Sequence, residues 1–224
     1  MRLMSEITEH YDMKTAFPRF MGYLFALTIL LSACGGGIDA PETLPADFTV
    51  AQGDRVALAI PAEWTAIQPT PEDFRAVADR LRNSNPLLAT KIDDMAKEIR
   101  DDTLRLAAYH ADGYTNLNIA AERAAFFQTA EVHAAANRDG LKEVGYEILE
   151  TASVEINGQK AARTEAEIRL FTPQGEPYTF RLLQYTLVSG GTAYSISFGT
   201  PAIYYAEFES QFEQIASTFY TFDD

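Results

Sequence analysis

The chain alternates between two spacings of apolar residues, and the changeover points divide it into elements. After Thr70-Pro71-Glu72-Asp73, Phe74, Val77 and Leu81 recur every three or four residues. A capping hydroxyl, a proline for the first turn and two acids favoured by the helix dipole precede this stripe, which predicts a helix. Asn85-Pro86 repeats the start signal before Leu88, Ile92, Met95 and Ile99, so two consecutive amphipathic helices are expected across residues 71–101. The period then falls to two. Leu104, Leu106 and Ala108, then Leu117, Ile119 and Ala121, predict two strands joined by the "HADG" turn. A shorter strand pair is expected at 48–50 and 56–60, and a third helix from about residue 129 to a stop at either Gly140 or Gly145.

The carboxy-terminal pattern is the clearest. Asn157-Gly158 supplies the positive φ angles of a type I′ hairpin turn after the strand at 154–156. Beyond it Ala166, Ile168 and Leu170 alternate with Glu165, Glu167 and Arg169, which predicts one dry face and one charged face. "PQGEP" and "SGG" turn the chain into strands at 178–188 and 192–198, and Phe208, Phe212, Ile215 and Phe219 form the stripe of a final helix. The expected fold class is α+β, an antiparallel β-sheet with helices packed on it as a single-domain sandwich.

The amino-terminal end follows a different rule. "MGYLFALTILL" at 21–31 is an unbroken apolar run of signal-core length, shorter than the ~20 residues that a spanning helix needs. Lys14 and Arg19 form its basic flank, whereas Glu6, Glu9 and Asp12 are out of place in one and point to Met13 as the translation start. The four residues Leu31-Ser32-Ala33-Cys34, which begin with the last leucine of that run, resemble a bacterial lipobox. That resemblance implies cleavage before Cys34, a diacylglycerol on its thiol and an acylated new amino terminus. Two or more chains hold a protein to a bilayer at roughly 0.8 kcal/mol per buried methylene. Gly35 stands where an inner-membrane retention aspartate would, so the expected address is the bacterial cell envelope, periplasm-facing, and the outer membrane of a Gram-negative host.

Residues 1–33 are thus expected to be a signal peptide, 34–47 the lipidated cysteine and a flexible linker, and 48–224 one domain. The glycines, prolines and acids of 35–47 show no periodicity, and thirteen extended residues would reach ~40 Å. The segment removed carries equal numbers of basic and acidic residues, so the net charge of −14 belongs wholly to the mature chain. Such a surface repels phosphate backbones and anionic headgroups, which excludes nucleic acid as a partner and leaves the acyl chains as the membrane contact. With Cys34 the only cysteine, the domain has no disulfide, thiolate nucleophile or cysteine-ligated metal.

Little chemistry is visible. The acidic pairs at 93–94, 101–102 and 223–224 lack the alternating loop of a calcium site. His110 and His133 fall on different elements, and no nucleophile elbow, zinc-ligand spacing, phosphate loop or dinucleotide fingerprint occurs, so no catalytic residue, metal or cofactor is expected. Glu165 and Glu167 read as the wet side of a sheet. Trp64, the only tryptophan, reads as a core plug at the sheet edge, with a ligand or partner platform as the alternative. Asn116 and Asn118 fall on the face opposite Leu117 and Ile119, where with Tyr109 they form a candidate polar patch. Of Tyr204 and Tyr205, one ring is expected to pack and the other to be exposed. Trp64, Tyr109, Asn116, Asn118 and Tyr204 are the candidate ligand or partner surface.

The strand pair ending in "IPAEW", the helix opening with "NPLL", the "VEINGQKAAR" hairpin, "YTFRLLQYTLVSGGTAYSISF" and a final phenylalanine-rich helix together resemble the PsbP-like group. Photosystem PsbP, the Ran-binding Mog protein and the DcrB-type and LpqN-type lipoproteins belong to that group. The resemblance covers residues 46–222 and implies a PsbP-like sandwich and a non-catalytic accessory or binding role toward an envelope protein partner. A carrier of a small or lipidic ligand is the alternative, with a cavity between helices 71–101 and the sheet lined by Leu88, Met95 and Ile99. An unrecognised hydrolase would instead require carboxylates converging in a cleft.

Overall fold

The computed structural model describes residues 37–83, 86, 89, 90, 92, 93, 96, 103–126, 128–171 and 175–222. Cys34 and the cavity residues Leu88, Met95 and Ile99 lie outside them.

Two antiparallel sheets share one core. The smaller joins β1 (Phe48–Gln52), β2 (Val56–Pro61) and β10 (Tyr220–Thr221) in the order β1-β2-β10. The larger has the order β3-β4-β5-β9-β8-β7-β6, built from β3 (Trp64–Ile67), β4 (Leu104–His110), β5 (Asn116–Arg123), β6 (Glu147–Ile156), β7 (Gln159–Phe171), β8 (Pro177–Ser189) and β9 (Thr192–Pro201). Within the large sheet every pair of consecutive strands lies side by side except β5 and β6, because β5 pairs with β9 and β6 forms the far edge. Asn157 and Gly158, at φ +45° and +73°, make the β6–β7 turn left-handed as expected.

Period-two patterning sends alternate residues to opposite faces of the large sheet. One face carries Leu106, Leu117, Leu183, Ile196 and Phe198, and it is covered by the small sheet and by α3 (Tyr205–Ser217). Phe212 is the centre of this packing, stacked 4.8 Å from Phe198 and 5.7 Å from Phe208. The other face receives α1 (Pro71–Leu81) over β3 and β4, and α2 (Ala130–Glu143) over β6, β7 and β8. Thr70 caps α1 by accepting the Asp73 N–H at 3.1 Å, a contact worth about 1 kcal/mol. Of the two stops expected for the third helix, the later holds: α2 continues through Gly140, which no Cβ would crowd, and ends before Gly145 at φ +98°.

The second expected helix contributes helical residues 86, 89, 90, 92, 93 and 96. Ala89, Ile92 and Ala96 are buried against Ala107 and Tyr109 of the sheet, together with Phe74 and Val77 of α1. The described part of this interface is therefore packed side chain to side chain.

The segment expected to be a free linker behaves differently from Gly37 onward. Ile38 is only 1% exposed and belongs to the main core. Its N–H donates to Thr221 Oγ1 at 2.7 Å, its carbonyl accepts the Thr221 N–H at 2.9 Å, and Asn157 Nδ2 donates to the next carbonyl, that of Asp39, at 2.5 Å.

Candidate functional site

A groove opens at the end of the large sheet where β4, β5, β7 and β8 bring Tyr109, Asn116, Leu170 and Tyr178 together. Its volume is about 390 Å³, and Tyr109, Tyr114, Asn116, Asn118, Tyr178 and Phe180 form most of its wall. Register explains how residues so distant in sequence meet. Ala107 pairs with Asn118, and Asn116 pairs with Gly199, which in turn pairs with Leu182; Leu170 pairs with Tyr178 on the next strand over. All of these project from the face opposite Phe198.

Gly199 shapes the floor. A Cβ built there would stand 2.5 Å from Phe180 Cε1 and 2.6 Å from its Cζ, so the ring lies across the glycine backbone at a distance no other residue permits. The rim is held by the turn before β5. Asp112 Oδ1 accepts the N–H groups of Tyr114 and Thr115 at 2.8 Å each, Oδ2 accepts the Thr115 hydroxyl at 2.6 Å, and that hydroxyl lies 2.8 Å from Thr200 Oγ1. Burial disfavours the Asp112 charge, but the Thr115 and Tyr114 hydrogen bonds outweigh it and hold the carboxyl below its ordinary range. Tyr109 lies deeper, where desolvation pushes its phenol up and keeps it neutral.

The groove's polar groups are thus phenols and carboxamides, which both donate and accept hydrogen bonds. That inventory suits recognition rather than proton transfer. Tyr178 also lines a second recess of about 790 Å³ with Arg169, Pro177, Pro201 and Ile203. Beside this recess, Phe171 is 65% exposed and Ile203 79%, and Tyr204 also stands in solvent. The two recesses and these side chains make one aromatic end of the molecule.

The expected surface residues divide accordingly. Tyr109, Asn116 and Asn118 meet in the groove, and Tyr204 stands at the same end of the sheet while Tyr205 packs. Trp64 does not join them. It is 5% exposed, its Nε1 donates to Gln211 Oε1 at 2.9 Å, and its indole meets Phe212 edge-on at 6.3 Å. The platform reading gives way to the core plug, because Trp64 projects to the face covered by α3. Tyr114, Leu170, Tyr178, Phe180 and Gly199 were missed. A glycine inside the apolar run "SISFGTP" is the one signal that could have marked a close approach there.

Glu165 requires a correction too. Expected on the wet face, it is 4% exposed, lying 2.5 Å from Arg163 Nη2 and 2.7 Å from Arg181 Nη2. Arg163 reaches on to Glu209 of α3 at 3.0 Å, and Arg181 lies over the Tyr205 ring at 4.3 Å. The alternating charges of β7 therefore form a buried clasp between sheet and α3. Burial acts against the Glu165 charge, and the Arg181 and Arg163 guanidiniums together still hold its pKa below the usual range. The histidines also lie apart: His110 packs on Phe208 at 4.9 Å, whereas His133 sits on α2, over the opposite face, 2.9 Å from Glu122 Oε1. Among the described residues, no cluster could hold a metal ion.

No protein-family model and no curated protein matches the chain. Solved structures do. The cyanobacterial PsbP (CyanoP) of Synechocystis sp. PCC 6803 superposes with a TM-score of 0.51 at 11% identity, over 82% of this chain and 98% of that one. LpqN of Mycobacterium tuberculosis, involved in cell envelope biogenesis, aligns at 0.46 and 9% identity over 78% and 90%. The Saccharomyces cerevisiae Ran-binding protein Mog1p aligns at 0.44 and 11% identity over 79% and 97%. The chain has the PsbP-like fold, and at such identities the likeness establishes fold alone.

Proposed function

We propose that the chain is a non-catalytic binding module, lipid-anchored through Cys34 in a bacterial envelope, that docks a protein partner through the aromatic end of its large sheet. The observation that carries this reading is the joining of two recesses through Tyr178, with Phe171, Ile203 and Tyr204 exposed beside them. Clustered aromatic and apolar side chains around a polar-walled groove are what a protein interface requires of its anchors. Anchoring would supply the rest, since two proteins confined to one membrane meet at high effective concentration without strong intrinsic affinity. Among the described residues no helix is long and apolar enough to cross a membrane. On this reading the anchored chain faces the periplasm, and Gly35 in place of a retention aspartate favours the outer membrane in a Gram-negative host.

The groove's volume also suits a small ligand, which keeps a carrier as the second reading. One experiment separates them: a crosslinked pull-down of the lipidated protein from its native membranes, beside Cys34→Ser and Ile203→Asp controls, with bound proteins and lipids both identified by mass spectrometry. A protein recovered in near-equal amount and lost in both controls supports the docking module. A defined small molecule or lipid recovered without protein, and unaffected by Ile203→Asp, overturns it in favour of the carrier.

A further inference from the structure

The chain enters the domain and the groove opens from it at opposite ends of the same strands. At the entry end Ile38 is buried, doubly hydrogen-bonded to Thr221, and Asp39 is bonded to Asn157 of the β6–β7 turn. Asn157 also donates to the Phe219 carbonyl at 3.2 Å. The β8–β9 turn at Gly190 and Gly191 lies at this end too, because Ala161 at the start of β7 pairs with Leu187 and Ser189 pairs with Thr192. At the other end of the same strands Phe171 pairs with Pro177 and Phe180 with Pro201, which places the aromatic recesses there. The thirteen residues of β7 connect the two ends, about 40 Å at ~3.3 Å per residue.

Only four peptide steps separate Cys34 from the pinned Ile38, a span of at most about 14 Å. We infer that the anchored protein stands end-on, with the Asn157–Gly158 turn against the phospholipid headgroups and the aromatic groove held tens of ångströms out from the bilayer. This rests on the lipid-anchor reading of Cys34 and replaces the ~40 Å leash that thirteen free residues would give. Lying flat on the sheet edge is opposed by charge, since Glu147, Glu150 and Glu155 of the edge strand β6 are exposed and would face anionic lipid. The bilayer therefore meets the turns, and the groove meets the part of a membrane-confined partner that projects into the aqueous space.

Energy transfer tests this. With Cys34 acylated, a cysteine introduced at Lys160→Cys or at Ile203→Cys is the only free thiol to label. Both positions are exposed, beside the entry turn and at the aromatic end respectively. Each lipidated variant, labelled and reconstituted in phosphatidylethanolamine–phosphatidylglycerol vesicles bearing a rhodamine-headgroup lipid, reports its height above the surface. The expected transfer is several-fold stronger from Lys160→Cys, and the difference shrinks when a ten-residue Gly-Ser insert follows Gly36. Equal transfer from the two sites in protein whose intact mass shows acylation overturns the orientation and leaves the anchor standing. An unacylated mass overturns the anchor reading, and the orientation with it.

Discussion

Ile38 and Thr221 clasp each other through two hydrogen bonds: the Ile38 N–H reaches the Thr221 hydroxyl at 2.7 Å, and the Thr221 N–H reaches the Ile38 carbonyl at 2.9 Å. Ile38 is thereby tied to the last strand, and its side chain completes the main core. Ile38→Ala should cost about 2–5 kcal/mol, as other buried aliphatic truncations do. Thr221→Val should cost about 1–3 kcal/mol by stranding the Ile38 N–H. Urea unfolding of the Cys34→Ser chain measures both, and a loss under 0.5 kcal/mol for either, about what an exposed substitution costs, would show that the clasp is not held in solution.

Acid should loosen the sheet from α3. A carboxylate held below its unfolded value contributes stability that is complete above that value and drains away as pH falls through the folded one. For Glu165 the drain begins near its ordinary 4.5, and for Asp112 near 3.8. Stability measured from pH 7 down to pH 2 should therefore hold level and then drop. Glu165→Gln should cost about 3–5 kcal/mol at pH 7, because Arg163 and Arg181 lose their shared partner, and should flatten the acid limb. An unchanged acid limb in that variant would place the titration elsewhere.

Gly199 and Phe180 should be coupled. Gly199→Ala forces the ring out of its seat and should cost about 1–3 kcal/mol, whereas the same change in a Phe180→Ala background should cost close to nothing. Additive penalties in the double-mutant cycle would mean that the ring does not rest on the glycine.

Phe212 should hold α3 in place more than any other residue of that helix, since Phe198 and Phe208 stack on it and Trp64 meets its edge. Phe212→Ala should cost about 3–5 kcal/mol. Trp64, the only tryptophan, should then emit to the red of the parent in the native state. Unshifted emission would show that the indole is shielded without Phe212.

Elements whose physics is local were legible in the sequence. The cap at Thr70 needs only residues within four positions, and the left-handed Asn157-Gly158 turn only two. Strands β4, β5 and β7 declared themselves by period two, and β8 and β9 by the turns that bound them. What escaped is what distant partners create. Strand β10 is two residues long and exists because Tyr220 and Thr221 pair with Ala57 and Val56. Strand β3 is four residues long, too short to show an alternation, and pairing with β4 defines it. Ile38 sits among glycines and acids with no pattern, and its burial depends on Thr221 at the far end of the chain. Glu165 reads as solvent-facing because its neighbours alternate, while the cations that let it be buried are Arg163 on its own strand and Arg181 on β8. The groove shows the same division. Opposite faces for Asn116 and Leu117 could be read from alternation, but the meeting of Asn116 with Tyr178 and Phe180 requires the strand order.

The most direct test of the docking surface is site-specific photocrosslinking in living cells, with a photoreactive residue placed at Ile203 or, as the comparison, at Lys160. A protein adduct of defined mass that forms from Ile203, fails to form from Lys160 and disappears with Cys34→Ser is the result the account predicts. The absence of any protein adduct from Ile203, or the same adducts from both positions, would contradict it.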